Sequence, residues 1–140
     1  MLAWACAAGL RLTGSRSQGS CLGGLSGHES QVLSVAFSPR GNLLASGGVD
    51  EKFVLWDVRT GTSVFQVSAH SGPITSVNFS PDGTTLCTGS YDGLVRVWDV
   101  STGHCLSTLV EEPAGCVSSA AFSSNSKFLI TGSLDSTVRI

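Results

Sequence analysis

The chain has 140 residues, is 41% hydrophobic, and sets eight Lys and Arg against ten Asp and Glu for a net charge of −2. That is polymer enough for one modest core, while basic residues scattered from Arg11 to Arg139 form no stripe to follow a phosphate backbone, so no direct nucleic-acid partner is expected. Five cysteines (Cys6, Cys21, Cys87, Cys105, Cys116) make no CxxC pair and read as buried free thiols of a reducing compartment.

Residues 1–18 carry an apolar run, two arginines, several serines and no acid. The run is too short for a bilayer, which takes roughly 20 apolar residues, so no membrane partner is expected. No positive charge precedes it, as a secretory signal requires. The segment reads as a non-repeat, disordered N-terminus, replaced or mispredicted, rather than as an import signal. Residues 19–27 read as the outer strand of a preceding unit, because Gly19, Cys21, Leu22 and Leu25 stand 84 residues before Gly103, Cys105, Leu106 and Leu109.

From residue 28 the chain repeats itself. His28 and His70, Phe37 and Phe79, Gly47 and Gly89, Asp50 and Asp92, and Trp56 and Trp98 are each 42 residues apart, and residues 28–69 and 70–111 agree at 15 of 42 positions. A period of that size marks stacked units, none of which buries its apolar face alone. The first unit, 28–69, predicts strands at Val32 to Phe37, Leu43 to Ser46, Phe53 to Asp57 and Thr62 to Val67, because short apolar bursts alternate with turn signals and no helical spacing is sustained. Pro39 and Pro81 suit the second position of a turn, and Gly41 and Gly83 accept positive φ. The second unit spans 70–112. The third, 113–140, runs one residue out of step, with Phe122, Thr131, Gly132 and Asp135 standing 43 residues after Phe79, Thr88, Gly89 and Asp92.

These motifs (GH, VxxVxF, FSPxG, LxxGxxD, xxWDV and xTG) resemble the WD-repeat units of a β-propeller across residues 19–140. The resemblance implies an all-β fold: a partial WD40 β-propeller of about three four-stranded antiparallel blades, incomplete at both ends. It also implies a hydrogen-bonded quartet inside each blade, here His28, Ser46, Asp50 and Trp56, then His70, Thr88, Asp92 and Trp98. An imidazole, a hydroxyl, a carboxylate and an indole N–H can be buried together only as a connected network. The third unit keeps Thr131 and Asp135 but has Glu112-Pro113 where the histidine belongs, so it is expected to be the least stable.

Catalytic readings fare poorly. His28 and His70 recur with the same neighbours, as framework residues do, and His104 falls on an outer strand. There is no HExxH, no zinc-type cysteine spacing and no GxSxG. Gly47-Gly48 and Gly23-Gly24 are too short and wrongly framed for a phosphate loop. The expectation is a protein without enzymatic activity, cofactor or metal, working through a surface.

In a propeller that surface lies at the blade loops and channel mouth. Leu33, Thr75 and Ser118 follow the first branched residue of each innermost strand and are the candidate channel residues. Short hydroxyls there either leave room for an inserted side chain or are merely small enough for strands to converge. Within the family, residues 69–112 resemble the WD-repeat core subunit of COMPASS and MLL histone methyltransferase complexes. That likeness implies a nuclear, seven-bladed scaffold whose channel grips an arginine of the histone H3 tail or of a methyltransferase subunit. Carried over by position, Thr75 and Ser118 match the channel serines that contact the arginine and Tyr91 matches the tyrosine of the turn, while Leu33 stands where the family stacks an aromatic ring. Other readings are a WD-repeat adaptor of another complex, such as a ubiquitin-ligase substrate receptor or signalling scaffold, and an inactive propeller fragment; cytoplasmic placement is the alternative to nuclear. Bare blade edges would favour self-association.

Overall fold

The computed structural model describes residues 2–6, 9–13, 21–110 and 115–140. Among them the chain forms fourteen strands and no helix. Strands β1 (Leu2–Cys6), β2 (Gly9–Thr13) and β3 (Cys21–Leu25) make one sheet. Strands β4 (Val32–Phe37), β5 (Leu43–Gly48), β6 (Lys52–Asp57) and β7 (Thr62–Ser68) make the second. The third joins β8 (Ile74–Phe79), β9 (Thr85–Ser90), β10 (Leu94–Asp99) and β11 (Cys105–Val110). The fourth joins β12 (Val117–Phe122), β13 (Leu129–Ser133) and β14 (Val138–Arg139). Each sheet is an antiparallel meander of sequence neighbours, so the expected all-β arc of blades is what the chain adopts, with two sheets of four strands flanked by two of three.

The expectation of disorder over residues 1–18 falls partly outside the described residues. Within them, the backbone forms β1 and β2 and adds them to β3, Leu10 opposite Leu25 and Arg11 opposite Gly24. The physical reason is the free edge of β3: without β2 its N–H and C=O groups would lack strand partners.

The sheets stack because each strand alternates its side chains between two neighbours. On β6, Val54 and Trp56 pack with Leu25 and Leu44 toward the first sheet, while Phe53 and Leu55 pack with Ile74, Val77, Leu86 and Trp98 toward the third. Cys87 and Val95 continue the pattern against Val117 and Ala120. One repeat after Cys87 and Val95, on the last sheet, stand Ile130 and Val138, which are exposed.

Strands β4, β8 and β12 lie side by side as the innermost strands, and hydroxyls stitch them together. Ser34 Oγ accepts the Val77 N–H at 3.1 Å. Ser76 Oγ accepts the Ala120 N–H at 3.1 Å, and Asn78 Nδ2 donates to Ala120 O at 2.7 Å. Buried backbone groups between sheets are thereby satisfied where no ladder forms. The turn 38–42 closes through Ser38 N–H to Leu43 O at 2.9 Å, with Gly41 at φ 72°. One residue type differs in the third unit: Ser126 occupies the glycine's place at φ 57°, a region that disfavours a Cβ.

Candidate peptide-binding face

The innermost strand of each of the three repeats, β4, β8 and β12, carries a β-bulge at its first residues. In β4, Val32 pairs with Gly48 and Ser34 with Gly47, leaving Leu33 unpaired. Thr75 in β8 and Ser118 in β12 are the extra residues of the same bulge. All three candidate channel residues therefore share one local geometry, with their side chains out of the ladder. Leu33 is 44% exposed, Thr75 is half-buried and Ser118 is exposed.

The hydroxyls mend the bulge. Ser118 Oγ donates to Gly132 O at 2.9 Å. Thr75 Oγ1 lies 3.1 Å from Gly89 O and 2.7 Å from Val117 O, sharing one proton between two carbonyls and tying β8 to β12. A hydroxyl committed as donor keeps its lone pairs, so these oxygens can accept from an N–H but cannot donate to a carbonyl. Leu33 offers neither bond. Tyr91, in the turn after β9, is 46% exposed, and Val49 and Leu134 are its exposed counterparts in the neighbouring units. All sit at the bulged end of the sheets.

Beneath this face lie the two quartets. Trp98 Nε1–H donates to Thr88 Oγ1 at 2.9 Å, the Thr88 oxygen lies 2.8 Å from His70 Nε2, and His70 Nδ1 lies 3.0 Å from Asp92 Oδ2. The first unit repeats this: Trp56 Nε1 to Ser46 Oγ at 2.8 Å, Ser46 Oγ to His28 Nε2 at 2.7 Å, His28 Nδ1 to Asp50 Oδ2 at 2.9 Å. In the second unit donors and acceptors balance with a neutral imidazole that carries its proton on Nδ1. Indole N–H gives to hydroxyl, hydroxyl gives to Nε2, and Nδ1–H gives to carboxylate; the tautomer follows from the network. For His70 burial enforces neutrality by holding the imidazole below its ordinary value, against the pull of Asp92. Each carboxylate also caps the loop that opens its own unit, Asp50 accepting Glu29 N–H at 2.9 Å and Asp92 accepting Ser71 N–H at 3.0 Å.

A hydroxyl–imidazole–carboxylate chain is the connectivity of a hydrolytic triad, but the geometry defeats that use. Ser46 and Thr88 have no exposed surface, and an indole N–H already occupies each hydroxyl oxygen. An attacking oxygen must reach a substrate, so these chains lock the blades.

The third unit closes differently. Pro113, at the histidine's place, lies outside the described residues. Asp135 instead takes Thr137 N–H at 2.9 Å and the Arg139 guanidinium at 2.7 Å, while Thr131 stays buried. The Thr137 hydroxyl and then Arg139 hold the Asp135 carboxyl well below its usual range. Arg139 occupies the place of Arg96, whose guanidinium donates to Ala69 O. A cation on the blade thus meets the carboxylate that the other units pair with imidazole.

The cysteines divide. Cys87 is buried and its thiol is pushed up to about 12 by burial. The expectation of burial fails for Cys105, which is exposed because β11 is an outer strand covered by no further sheet. The side chains of Cys6 and Cys21 lie outside the described residues. His104 is exposed. Among the described residues, no group of His, Cys, Asp and Glu has the arrangement of a metal site.

Comparison with known proteins decides the family. The model for the WD domain, G-beta repeat, matches residues 19–57, 61–99 and 103–140, one match for each Trp-Asp unit and one for the third unit. The chain belongs to the WD40-repeat family. Its similarity to individual WD40 proteins is local. It is 52% identical over 44 residues to Protein Mut11 of Chlamydomonas reinhardtii, covering 31% of this chain and 12% of that protein. It is 49% identical over 43 residues to vegetative incompatibility protein HET-E-1 of Podospora anserina, covering 31% of this chain and 3% of that one. It is 51% identical over 39 residues to the probable cytosolic iron-sulfur protein assembly protein 1 of Malassezia globosa, covering 28% and 11%. WD40 repeats form protein-interaction scaffolds, and the bulged end presents the loops and strand mouths such scaffolds use.

Proposed function

We propose that this WD40-repeat chain binds an arginine-bearing peptide at the mouth lined by Leu33, Thr75, Tyr91 and Ser118, as a subunit of a COMPASS-like histone methyltransferase complex taking the histone H3 tail. The observation that carries the reading is the bulge chemistry. Thr75 and Ser118 give their protons to backbone carbonyls and keep acceptor oxygens on neighbouring strands, which suits the five N–H donors of a guanidinium. The tyrosine ring of Tyr91 adds an exposed aromatic face at the same end. Nuclear placement belongs to this reading alone.

A pulldown with an unmodified H3 N-terminal peptide and its arginine-to-alanine variant tests it. Retention of the first and loss of the second is the expected result. Equal retention of both would remove arginine recognition from the account.

A second reading, an adaptor of another complex, is favoured by one residue. Leu33 puts an aliphatic side chain where the COMPASS-type mouth has a ring, so the mouth suits a peptide anchored by an apolar residue. The relatives, whose names point to different processes, are compatible with either partner class.

A further inference from the structure

At the other end of the sheets the turns 38–42 and 80–84 meet. A Cβ on Gly83 would lie 3.3 Å from Pro39 Cδ, so the two turns are in contact. Beside that contact, extending to the turn after β10, runs a groove of about 490 Å³. Pro39, Leu43 and Val100 give it apolar walls, and Arg40, Asp82 and Asp99 give it charge.

The two aspartates are half committed. Asp82 Oδ1 holds its own turn, accepting Ser80 Oγ at 2.5 Å and Thr84 N–H at 3.0 Å. Asp99 Oδ1 accepts Ser101 Oγ at 2.6 Å and Thr102 N–H at 2.9 Å. Among the described residues, no hydrogen bond reaches Oδ2 of either. The hydroxyls of Ser80 and Ser101, first among several donors, keep both carboxyls below their ordinary value and therefore ionised at neutral pH. Arg40 is exposed and pairs with no described acid. Two open carboxylate oxygens thus belong to the third sheet and one unpaired guanidinium to the second, and Pro39, Leu43 and Val100 line the same groove.

We propose that this groove docks an extended peptide of a partner protein, its basic side chain on Asp82 and Asp99, a small apolar residue against Pro39 and Val100, and an acidic residue toward Arg40. Charge complementarity of both signs across one groove selects a peptide with separated charges and fixes its direction. The site is distinct from the bulged mouth, since the two lie at opposite ends of the same strands.

The test uses the full chain and a fluorescein-labelled peptide, Glu-Ala-Val-Arg-Ala-amide, read by fluorescence anisotropy. Saturable binding is expected, weakened at least about tenfold in an Asp82→Asn, Asp99→Asn double variant. Asparagine keeps the turn-holding oxygen and replaces the open one with a donor, so the fold is retained while the site is inverted. Arg40→Glu, on an exposed turn, should weaken this peptide and favour one carrying Arg in place of its Glu. Thr75→Val with Ser118→Ala should leave binding unchanged, which separates this site from the arginine mouth. Absence of saturable binding, or affinity within about twofold in both the asparagine and Arg40→Glu variants, would overturn the proposal.

Discussion

A Cβ placed on Gly47 would stand 2.5 Å from Ile74 Cγ2 and 2.9 Å from Val77 Cγ1. The glycine recurs one unit on, where Gly89 would meet Val117 Cγ1 at 2.7 Å. All three distances are below any relaxed contact, and Ile74, Val77 and Val117 are branched side chains buried in the seams between sheets. Gly47→Ala and Gly89→Ala are each expected to cost about 1–3 kcal/mol, the usual penalty for overfilling a packed core. Urea denaturation of each variant measures it. An alanine at Gly23, where nothing lies within 4 Å, should cost far less.

Thr88 is the hinge of the second quartet, touched by both Trp98 Nε1 and His70 Nε2. Thr88→Val keeps the shape and leaves a buried N–H and an imidazole nitrogen without partners. The expected loss is about 1–3 kcal/mol, the cost of stranding buried polar groups. Thr88→Ser keeps the hydroxyl, as Ser46 does naturally, and should lose much less. Equal midpoints for the valine and serine variants in chemical denaturation would remove the hydroxyl from its bridging role.

The strands are legible because their signals are local and periodic. Val32–Phe37 has the bounds its alternation predicts, and the histidine, hydroxyl, aspartate and tryptophan that the resemblance to WD-repeat units groups together are hydrogen-bonded in two units. Alternation alone does not find the bulges, although their signal lies in the sequence as a departure from it. Ile74 and Val77 share one seam, and Val117 and Ala120 the next, although three residues separate each pair. In an unbroken strand such a pair would face opposite sides; one extra residue, Thr75 or Ser118, turns them to the same side. Arg139 as the partner of Asp135 was not readable, because no periodic position pairs a cation with that carboxylate. Strands β1 and β2 were missed because they complete β3 through backbone pairing, which needs no sequence repeat.

Acid should loosen the second quartet before it reaches the carboxylates of the surface turns. Burial, with a contribution from Arg96, holds His70 below the ordinary imidazole value of 6.5, while Asp92 pulls the other way. For Asp92, burial opposes ionisation, but the Ser71 and Leu94 N–H groups and His70 outweigh it and hold the carboxyl below 3.8. Both groups bind protons more readily in the unfolded chain, so both supply stability that is present at neutral pH and removed by acid. The His70 share fades as pH falls below about 6.5, and the Asp92 share as pH falls through its lowered value. Denaturation midpoints should therefore drop from about pH 8 to about pH 5, with a smaller slope in His70→Gln. An unchanged slope in that variant would assign the effect to another group.

Thiol labelling should sort the cysteines by exposure. Cys87 has no exposed surface and a thiol pushed up to about 12, so little thiolate forms and none is reachable. Cys105 is exposed on β11. Brief treatment of the native protein with N-ethylmaleimide, read by peptide mass spectrometry, should modify Cys105 and spare Cys87. Denaturant should release Cys87. Rapid native labelling of Cys87 would mean that the seam between the third and fourth sheets opens readily.

Leu33 allows the arginine mouth to be strengthened rather than broken. It is the unpaired residue of its bulge, is 44% exposed, and belongs to none of the three core clusters. Leu33→Phe therefore adds a ring without displacing the seams, beside the acceptor oxygens of the neighbouring inner strands. A cation over an aromatic face is worth about 0.5–2 kcal/mol, so binding of an arginine-bearing H3 peptide should tighten by roughly twofold to thirtyfold. The arginine-to-alanine peptide should gain nothing. Titration of both peptides against Leu33→Phe and the unmodified chain makes the comparison. A gain shared equally by both would assign the added ring to nonspecific apolar contact and leave the guanidinium without a place at this mouth.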